Sequence, residues 1–234
     1  GQFHEKEKNQ DHLIEAKLHA KNGKKMDKFD LGSETLATDV LTSLKKTTYI
    51  IESLTKKETK RTPPPPFRTS TLQQQANHKC GYSSKQTMRL AQQLYEGIAL
   101  GNTETVGLIT YMRTDSTNLS DKFIKETRAF LKETYSKDHV ETKARKYKTK
   151  SKGAQEAHEA IRPSDPAKTP ESVAPYLDSK QLKLYELIWK RAVATQMSEA
   201  KLDKTTLDIA SQKTDDIYTF RASGQIMLFD GWMA

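Results

Sequence analysis

Apolar and polar residues alternate at both ends of the chain. Between residues 12 and 20 apolar positions fall at 14, 16, 18 and 20, and the same period of two returns after residue 201. This period is typical of half-buried β-strands. The β-branched segment 47–53 predicts another strand, and Gly224 predicts a turn before a last apolar run at 226–231.

A helical period dominates the middle of the chain. Apolar stripes predict helices over residues 85–98, from Ser120 onward and from Ser179 onward, with a further helix capped by Ser33. The residues expected to face inward in the helix after Ser33 are Leu36, Val40, Leu41 and Leu44. We therefore expect an α-rich central region between two strand-forming ends.

A candidate domain boundary lies between these regions. Residues 55–66 have no apolar period and end in four prolines, which favour an extended spacer. The simplest architecture is of the α+β class. Residues 1–67 and 198–234 form a β-rich domain from both chain ends, and residues 68–197 protrude from it as an inserted helical domain.

Composition narrows the classes of partner. The formal net charge is +9, which favours a polyanion. The single cysteine, Cys80, excludes an internal disulfide and a paired-cysteine zinc site. No apolar run approaches the ~20 residues that span a bilayer, so we expect a cytoplasmic protein without a membrane partner. The chain lacks an initial Met and stops abruptly, as a piece of a longer protein would.

Candidate chemistry is concentrated in GLITYMRTDS, residues 107–116, where Tyr111, Arg113 and Asp115 occupy alternate positions. In an extended segment the three side chains project from one face. A phenol is a poor nucleophile at its usual pKa of ~10, and a neighbouring cation favours the phenolate and neutralises a phosphate. The spacing alone equally describes a strand tyrosine beside a structural Arg–Asp pair, which is commoner.

A second candidate cluster lies in residues 153–166. His158 and Arg162 are four positions apart, which predicts one helix face before Pro163, and both side chains could donate to one phosphate. Taken alone, the cluster is better described as a surface histidine in a charged helix.

Four long segments favour a functional interpretation of both clusters over a structural one. The string GLITYMRTDSTNLS resembles the active-site motif of type IA DNA topoisomerases, and residues 63–76, 155–166 and 184–197 resemble further motifs of that family in its order. The methionine at position 112, between Tyr111 and Arg113, resembles the residue that the bacterial topoisomerase I branch of the family has there.

The resemblance implies a role for each candidate residue. Tyr111 would be the nucleophile that links to a DNA 5′-phosphate, with Arg113 stabilising the phosphate and His158 close to the cleaved strand. Asp115 would order the turn and Arg162 would contact the DNA backbone beside His158. Arg68 departs from the family pattern, and from sequence we favour a solvated residue over a phosphate contact.

The resemblance also implies what lies outside this chain. Family members hold Mg²⁺ on a D-x-D pair in a separate nucleotidyl-transfer domain, and this sequence contains no D-x-D. We therefore expect a central fragment that binds no metal and is inactive alone. The intact, ATP-independent enzyme would relax negatively supercoiled DNA at the nucleoid by cleaving a single-stranded segment.

Two other function classes account for parts of the sequence. In the first, the chain is a non-catalytic module for single-stranded DNA in which Tyr111 stacks on a base. In the second, it is a winged-helix regulator, which explains none of the four motifs.

Overall fold

The computed structural model describes residues 2–7, 10–27, 29–45, 47–101, 105–147, 158–212 and 215–234. The chain forms two compact units, the first from residues 1–60 and 201–229 and the second from residues 61–200 and 230–234. The predicted α+β class is confirmed. The predicted boundaries differ from these units, because residues 61–67, 198–200 and 230–234 group with the helices.

The helices and strands follow in chain order. They are β1 (Gln2–Glu7), β2 (Gln10–Glu15), β3 (Lys17–Lys21), β4 (Lys24–Lys25), α1 (Glu34–Lys45), β5 (Thr48–Arg61), α2 (Thr69–Cys80), α3 (Ser84–Glu96), β6 (Ile98–Ala99), β7 (Thr105–Val106), α4 (Asp121–Thr134), α5 (Pro170–Val173), α6 (Ser179–Ala194), β8 (Ala200–Gln212) and β9 (Tyr218–Phe229). Short 3₁₀ turns lie at Lys137–His139, Ala174–Tyr176 and Gly231–Met233.

The first unit is built on a five-stranded sheet with the order β4-β3-β9-β8-β5, accompanied by the β1–β2 hairpin. Its core combines residues from both chain ends: Ala16, Leu44, Ile209, Tyr218 and Phe220. The strand predicted around residues 12–20 is confirmed as β2 and β3. In the predicted helix, α1, Leu44 is buried but Leu36 and Leu41 are more than half exposed.

Two local predictions for the first unit are wrong. Gly224 does not form a turn, because it pairs with Thr205 inside the β8–β9 hairpin, which continues to Lys201 opposite Phe229. Residues 55–61 are not a spacer, because β5 runs to Arg61 along β8 in the sheet. In both cases, pairing with a distant segment determines the local conformation.

The second unit holds the predicted helices. Ser83 and Ser120 cap α3 and α4 by accepting hydrogen bonds from Gln86 N and Phe123 N, whereas Asp178 caps α6. The largest fully buried side chains of this unit are Phe67, Leu72, Leu94, Leu108, Met112, Phe123, Leu131, Ile161, Leu184, Tyr185 and Ile188. Among the described residues, no helix is long and apolar enough to cross a bilayer.

Three chain segments meet within the second unit, next to the positions where the chain passes to or from the first. Trp232 donates from Nε1 to the carbonyl of Arg61 at 2.9 Å and from its backbone N–H to the carbonyl of Ser198 at 3.0 Å. Thr62 donates from its hydroxyl to Oε1 of Glu199 at 2.9 Å. These bonds tie residues 61–62, 198–199 and 230–232 together, and we refer to these residues as the junction.

Candidate active site

The loop that carries Tyr111 is held on one side by the first residue of α2. The Thr69 hydroxyl has one proton, which the carbonyls of Met112 and Thr114 share at 2.7 and 3.0 Å, and its oxygen accepts from the Thr114 N–H at 2.9 Å. The Thr69 N–H also donates to the Thr114 carbonyl at 2.9 Å. One side chain therefore fixes the backbone on both sides of Arg113.

The other side of the loop is held by the segment that follows His158. The Thr110 N–H donates to the Arg162 carbonyl at 2.9 Å, and the Thr110 hydroxyl donates to the Ala160 carbonyl at 2.7 Å. The Arg162 N–H in turn donates to the Thr110 hydroxyl at 3.0 Å. Neighbouring backbone groups are thus paired immediately before Tyr111 as well as after it.

These anchors give the loop alternating exposure without a strand. The side chains of Tyr111, Arg113 and Asp115 are exposed, while those of Met112 and Ser116 are buried. The segment is not a continuous strand, because the chain bends at residues 112 and 113, yet all three candidate side chains are exposed. No ion pair joins Arg113 to Asp115 in the described structure, which disfavours the alternative of a structural Arg–Asp pair.

The Tyr111 ring is half exposed to solvent. Its exposed fraction is 49%, and its ring meets the Tyr95 ring edge to face, with 5.3 Å between centroids. Gly107 passes so close to α3 that a Cβ there would lie 2.6 Å from the Tyr95 carbonyl oxygen. The backbone before Tyr111 is therefore packed closely against the end of α3, and the Tyr111 ring lies at the surface beside Tyr95.

An open cleft of about 590 Å³ lies beside this loop. It is lined by Arg68, Thr69, Ser70, Gln73, Met88, Arg113, Thr114, Asp115 and His158. Tyr111 does not line it. The cleft thus brings together three of the predicted site residues, Arg113, Asp115 and His158, and adds a further cation, Arg68.

The predicted partnership of His158 and Arg162 is not present. Residues 158–162 are not helical, because Ile161 pairs with Phe67, donating its N–H to the Phe67 carbonyl at 2.7 Å. Residues 153–157, the rest of the predicted helix, lie outside the described residues. The extended conformation leaves His158 exposed at the cleft, but Arg162 does not line it.

Arg162 is instead bound into the protein. Its guanidinium forms an ion pair with Glu159, donates to the Pro163 carbonyl at 2.9 Å and stacks 4.6 Å from the centre of the Phe123 ring. A cation engaged in this way has no free donor face for a DNA phosphate. The predicted DNA contact at Arg162 is therefore not supported by its position.

Sequence reasoning missed the residues that shape the loop. Thr69 and Thr110 make the anchoring hydrogen bonds, whereas the Asp115 carboxylate, which the resemblance implied would order the turn, makes none with a described residue. Thr69 stands in the segment TSTLQQQ, where a hydroxyl at a helix start is a recognisable signal. Its partners 43 and 45 positions away are not recognisable from sequence.

Comparison with known proteins places this geometry in a family. A sequence model of the DNA topoisomerase family matches residues 4–234. The chain is 45% identical over 222 residues to the DNA topoisomerase 1 of Xylella fastidiosa, covering 94% of this chain and 27% of that protein. It is 44% identical over 218 residues to the DNA topoisomerase 1 of Helicobacter pylori, covering 93% of this chain and 29% of that protein.

A solved structure agrees with the sequence relatives. The fold matches full-length topoisomerase I from Thermotoga maritima with a TM-score of 0.73 and 35% identity, over 94% of this chain and 33% of that one. The chain therefore spans between about a quarter and a third of the proteins it resembles. The matching family, the curated relatives and the shared fold agree: this chain belongs to the DNA topoisomerase family.

Proposed function

We propose that this chain is the tyrosine-bearing central part of a type IA topoisomerase, which relaxes negatively supercoiled DNA through a transient single-strand break. The observation that carries the proposal is the exposed Tyr111 phenol on a loop anchored on both sides, next to a cleft with Arg113 and His158. This arrangement fixes a nucleophile and two phosphate-binding groups on one short stretch of surface.

In the proposed reaction the Tyr111 oxygen attacks a backbone phosphorus of single-stranded DNA. The phenol loses its proton, a P–O bond forms to the tyrosine, and the bond from phosphorus to the 3′-oxygen breaks. The 3′-oxygen takes up a proton, which leaves a 3′-hydroxyl and a 5′-phosphotyrosine. After strand passage the 3′-hydroxyl displaces the tyrosine, so the phosphodiester is restored without ATP.

The cations of the cleft would act on the charge of the phosphate. Arg113 presents a planar fork that matches two phosphate oxygens, and its exposure leaves that fork open to solvent. His158 can donate a hydrogen bond in either protonation state. Preorganised donors aimed at a transferring phosphoryl group stabilise the transition state more than the ground state.

Magnesium belongs to the proposal only as a requirement of the intact protein. Among the described residues, no group of three carboxylate, imidazole or thiol side chains could hold a metal ion. The side chains of this cleft do not fit a metal site, so no step is assigned to a metal here. We infer that a nucleotidyl-transfer domain elsewhere in the protein supplies the metal ligands, and that this chain alone forms no adduct.

A non-catalytic module for single-stranded DNA is the second candidate. It is favoured by the exposed Tyr95–Tyr111 pair, since exposed aromatic rings are platforms on which bases stack. The two functions differ in covalency, because only the enzyme forms a bond between Tyr111 and DNA.

The deciding experiment uses the full-length protein with Mg²⁺ and single-stranded DNA labelled at either end, stopped with denaturant. The 3′-label should remain attached to protein, whereas the 5′-label should be released on a shorter strand with a 3′-hydroxyl. Tyr111→Phe should abolish the adduct, because no oxygen remains to attack. Tyr95→Phe is the matched control and should still form it. An adduct that persists in Tyr111→Phe would remove Tyr111 from the role.

A further inference from the structure

Apart from Arg61 at the junction, the arginines of the described chain divide into two groups. Most are engaged by the protein: Arg128 and Arg145 by carbonyl groups, Arg162 by Glu159, Arg191 by the Phe67 ring and Arg221 by Asp208. In contrast, the guanidinium groups of Arg68, Arg89 and Arg113 form no ion pair and donate no hydrogen bond to any described residue. Two of these three, Arg68 and Arg113, line the same cleft.

Two unpaired guanidinium groups on one cleft are electrostatically unfavourable in the absence of an anion. Arginine remains charged under all ordinary conditions, so the repulsion cannot be relieved by losing a proton. His158 adds a third potential cation to the lining, while Asp115 is the one carboxylate there. The lining of the cleft therefore has more positive than negative groups.

The position of Arg68 is fixed independently of its side chain. Its backbone N–H donates to the Thr71 hydroxyl at 3.1 Å, and its carbonyl accepts from the same hydroxyl and from the Leu72 N–H. The next residue, Thr69, anchors the loop that carries Arg113. The backbones of the two arginines therefore belong to segments that are hydrogen-bonded to each other.

We propose that Arg68 is a second phosphate-binding residue of the cleft, which holds a backbone phosphate of the DNA strand next to the one that Arg113 contacts. The inference rests on the proposed function, because it takes a DNA strand as the ligand. It differs from the expectation of a merely solvated Arg68, and it is motivated by the position of Arg68 in the same cleft as Arg113. The role is one of binding and positioning, and it differs from the reaction of Tyr111.

The test measures binding of a fluorescent single-stranded oligonucleotide to this chain by anisotropy at several salt concentrations. Arg68→Gln should lower affinity about tenfold at low salt, the scale of one charge-assisted contact. It should also reduce the slope of log affinity against log salt by about 0.7, the contribution of one phosphate on a single strand. Arg68→Lys should keep the slope, because the charge remains, while losing part of the affinity with the planar fork.

Arg89→Gln is the matched control. It removes the same charge from an exposed, unpaired arginine on α3 that does not line the cleft, so its slope and affinity should stay close to those of the unchanged protein. Circular dichroism checks that each variant is folded. Equal effects of Arg68→Gln and Arg89→Gln would overturn the role of Arg68 while leaving the proposed function intact. If the unchanged chain binds no single-stranded DNA even at low salt, the role of Arg68 fails, while the proposed function is still decided by the adduct of the full-length protein.

Discussion

Replacing Thr69 with valine tests whether one hydroxyl fixes the loop that carries Tyr111. Valine keeps the shape of threonine but loses the donated hydrogen bond that the carbonyls of Met112 and Thr114 share and the one accepted from the Thr114 N–H. The Thr114 carbonyl keeps its bond from the Thr69 N–H at 2.9 Å. The substitution therefore leaves the Met112 carbonyl and the Thr114 N–H without these partners.

The expected cost follows from those two groups. An ordinary hydrogen bond contributes about 1 kcal/mol net, and a buried group left unpaired costs about 1–3 kcal/mol. The substitution should therefore lower the free energy of opening the loop by about 2 kcal/mol. Hydrogen exchange at the Thr114 amide should then accelerate about 30-fold. Thr142→Val is the matched control, since the Thr142 hydroxyl bonds to no described residue. Equal protection of the Thr114 amide in both variants would refute the anchoring role of Thr69.

Two further predictions concern packing and charge. Gly107→Ala should reduce stability by about 1–3 kcal/mol and so lower the urea midpoint of unfolding, because the added Cβ meets the Tyr95 carbonyl. Gly224→Ala is the control and should leave the midpoint unchanged, because nothing lies within 4 Å of its added Cβ. Equal midpoints of the two variants would contradict this. The Arg221 guanidinium holds the pKa of the Asp208 carboxyl below its ordinary value. Asp208→Asn should therefore cost about 1–2 kcal/mol at pH 7, and urea titrations should show the difference vanishing as pH falls below ~4 through the lowered pKa; a pH-independent difference would contradict this.

The sequence was sufficient where a single segment carries its own signal. The helices α4 and α6 follow from their apolar stripes and from polar residues that cap them. The exposure of Tyr111, Arg113 and Asp115 also agrees with their alternate spacing. These features depend on residues close together in the chain, so local patterns are enough to predict them.

The failures share a different physical cause. Residues 158–162 carry helix-like spacing but are drawn into an extended conformation by bonds to Phe67 and Thr110, which lie far away in sequence. The Arg162 side chain is likewise captured by Glu159 and Phe123. Residues 55–61 resemble a spacer because they are mostly charged and have no apolar period, but they form the end of β5, which pairs with β8. Long-range pairing decides the backbone conformation of both segments, and no local pattern indicates it.

The junction has a consequence for how the chain can be divided. Because Thr62 bonds to Glu199, residues 61 and 200 leave the second unit close to each other, so a short linker could join them in place of the whole first unit. Closing a short loop costs little conformational entropy, since the cost grows only with the logarithm of loop length. The last residues are the exception, because Trp232 supplies the bonds to Arg61 and Ser198. A minimal module without residues 230–234 would leave the Arg61 and Ser198 carbonyls without these hydrogen bonds. The C-terminal segment therefore has to be supplied as a separate peptide or joined to the module by a second linker.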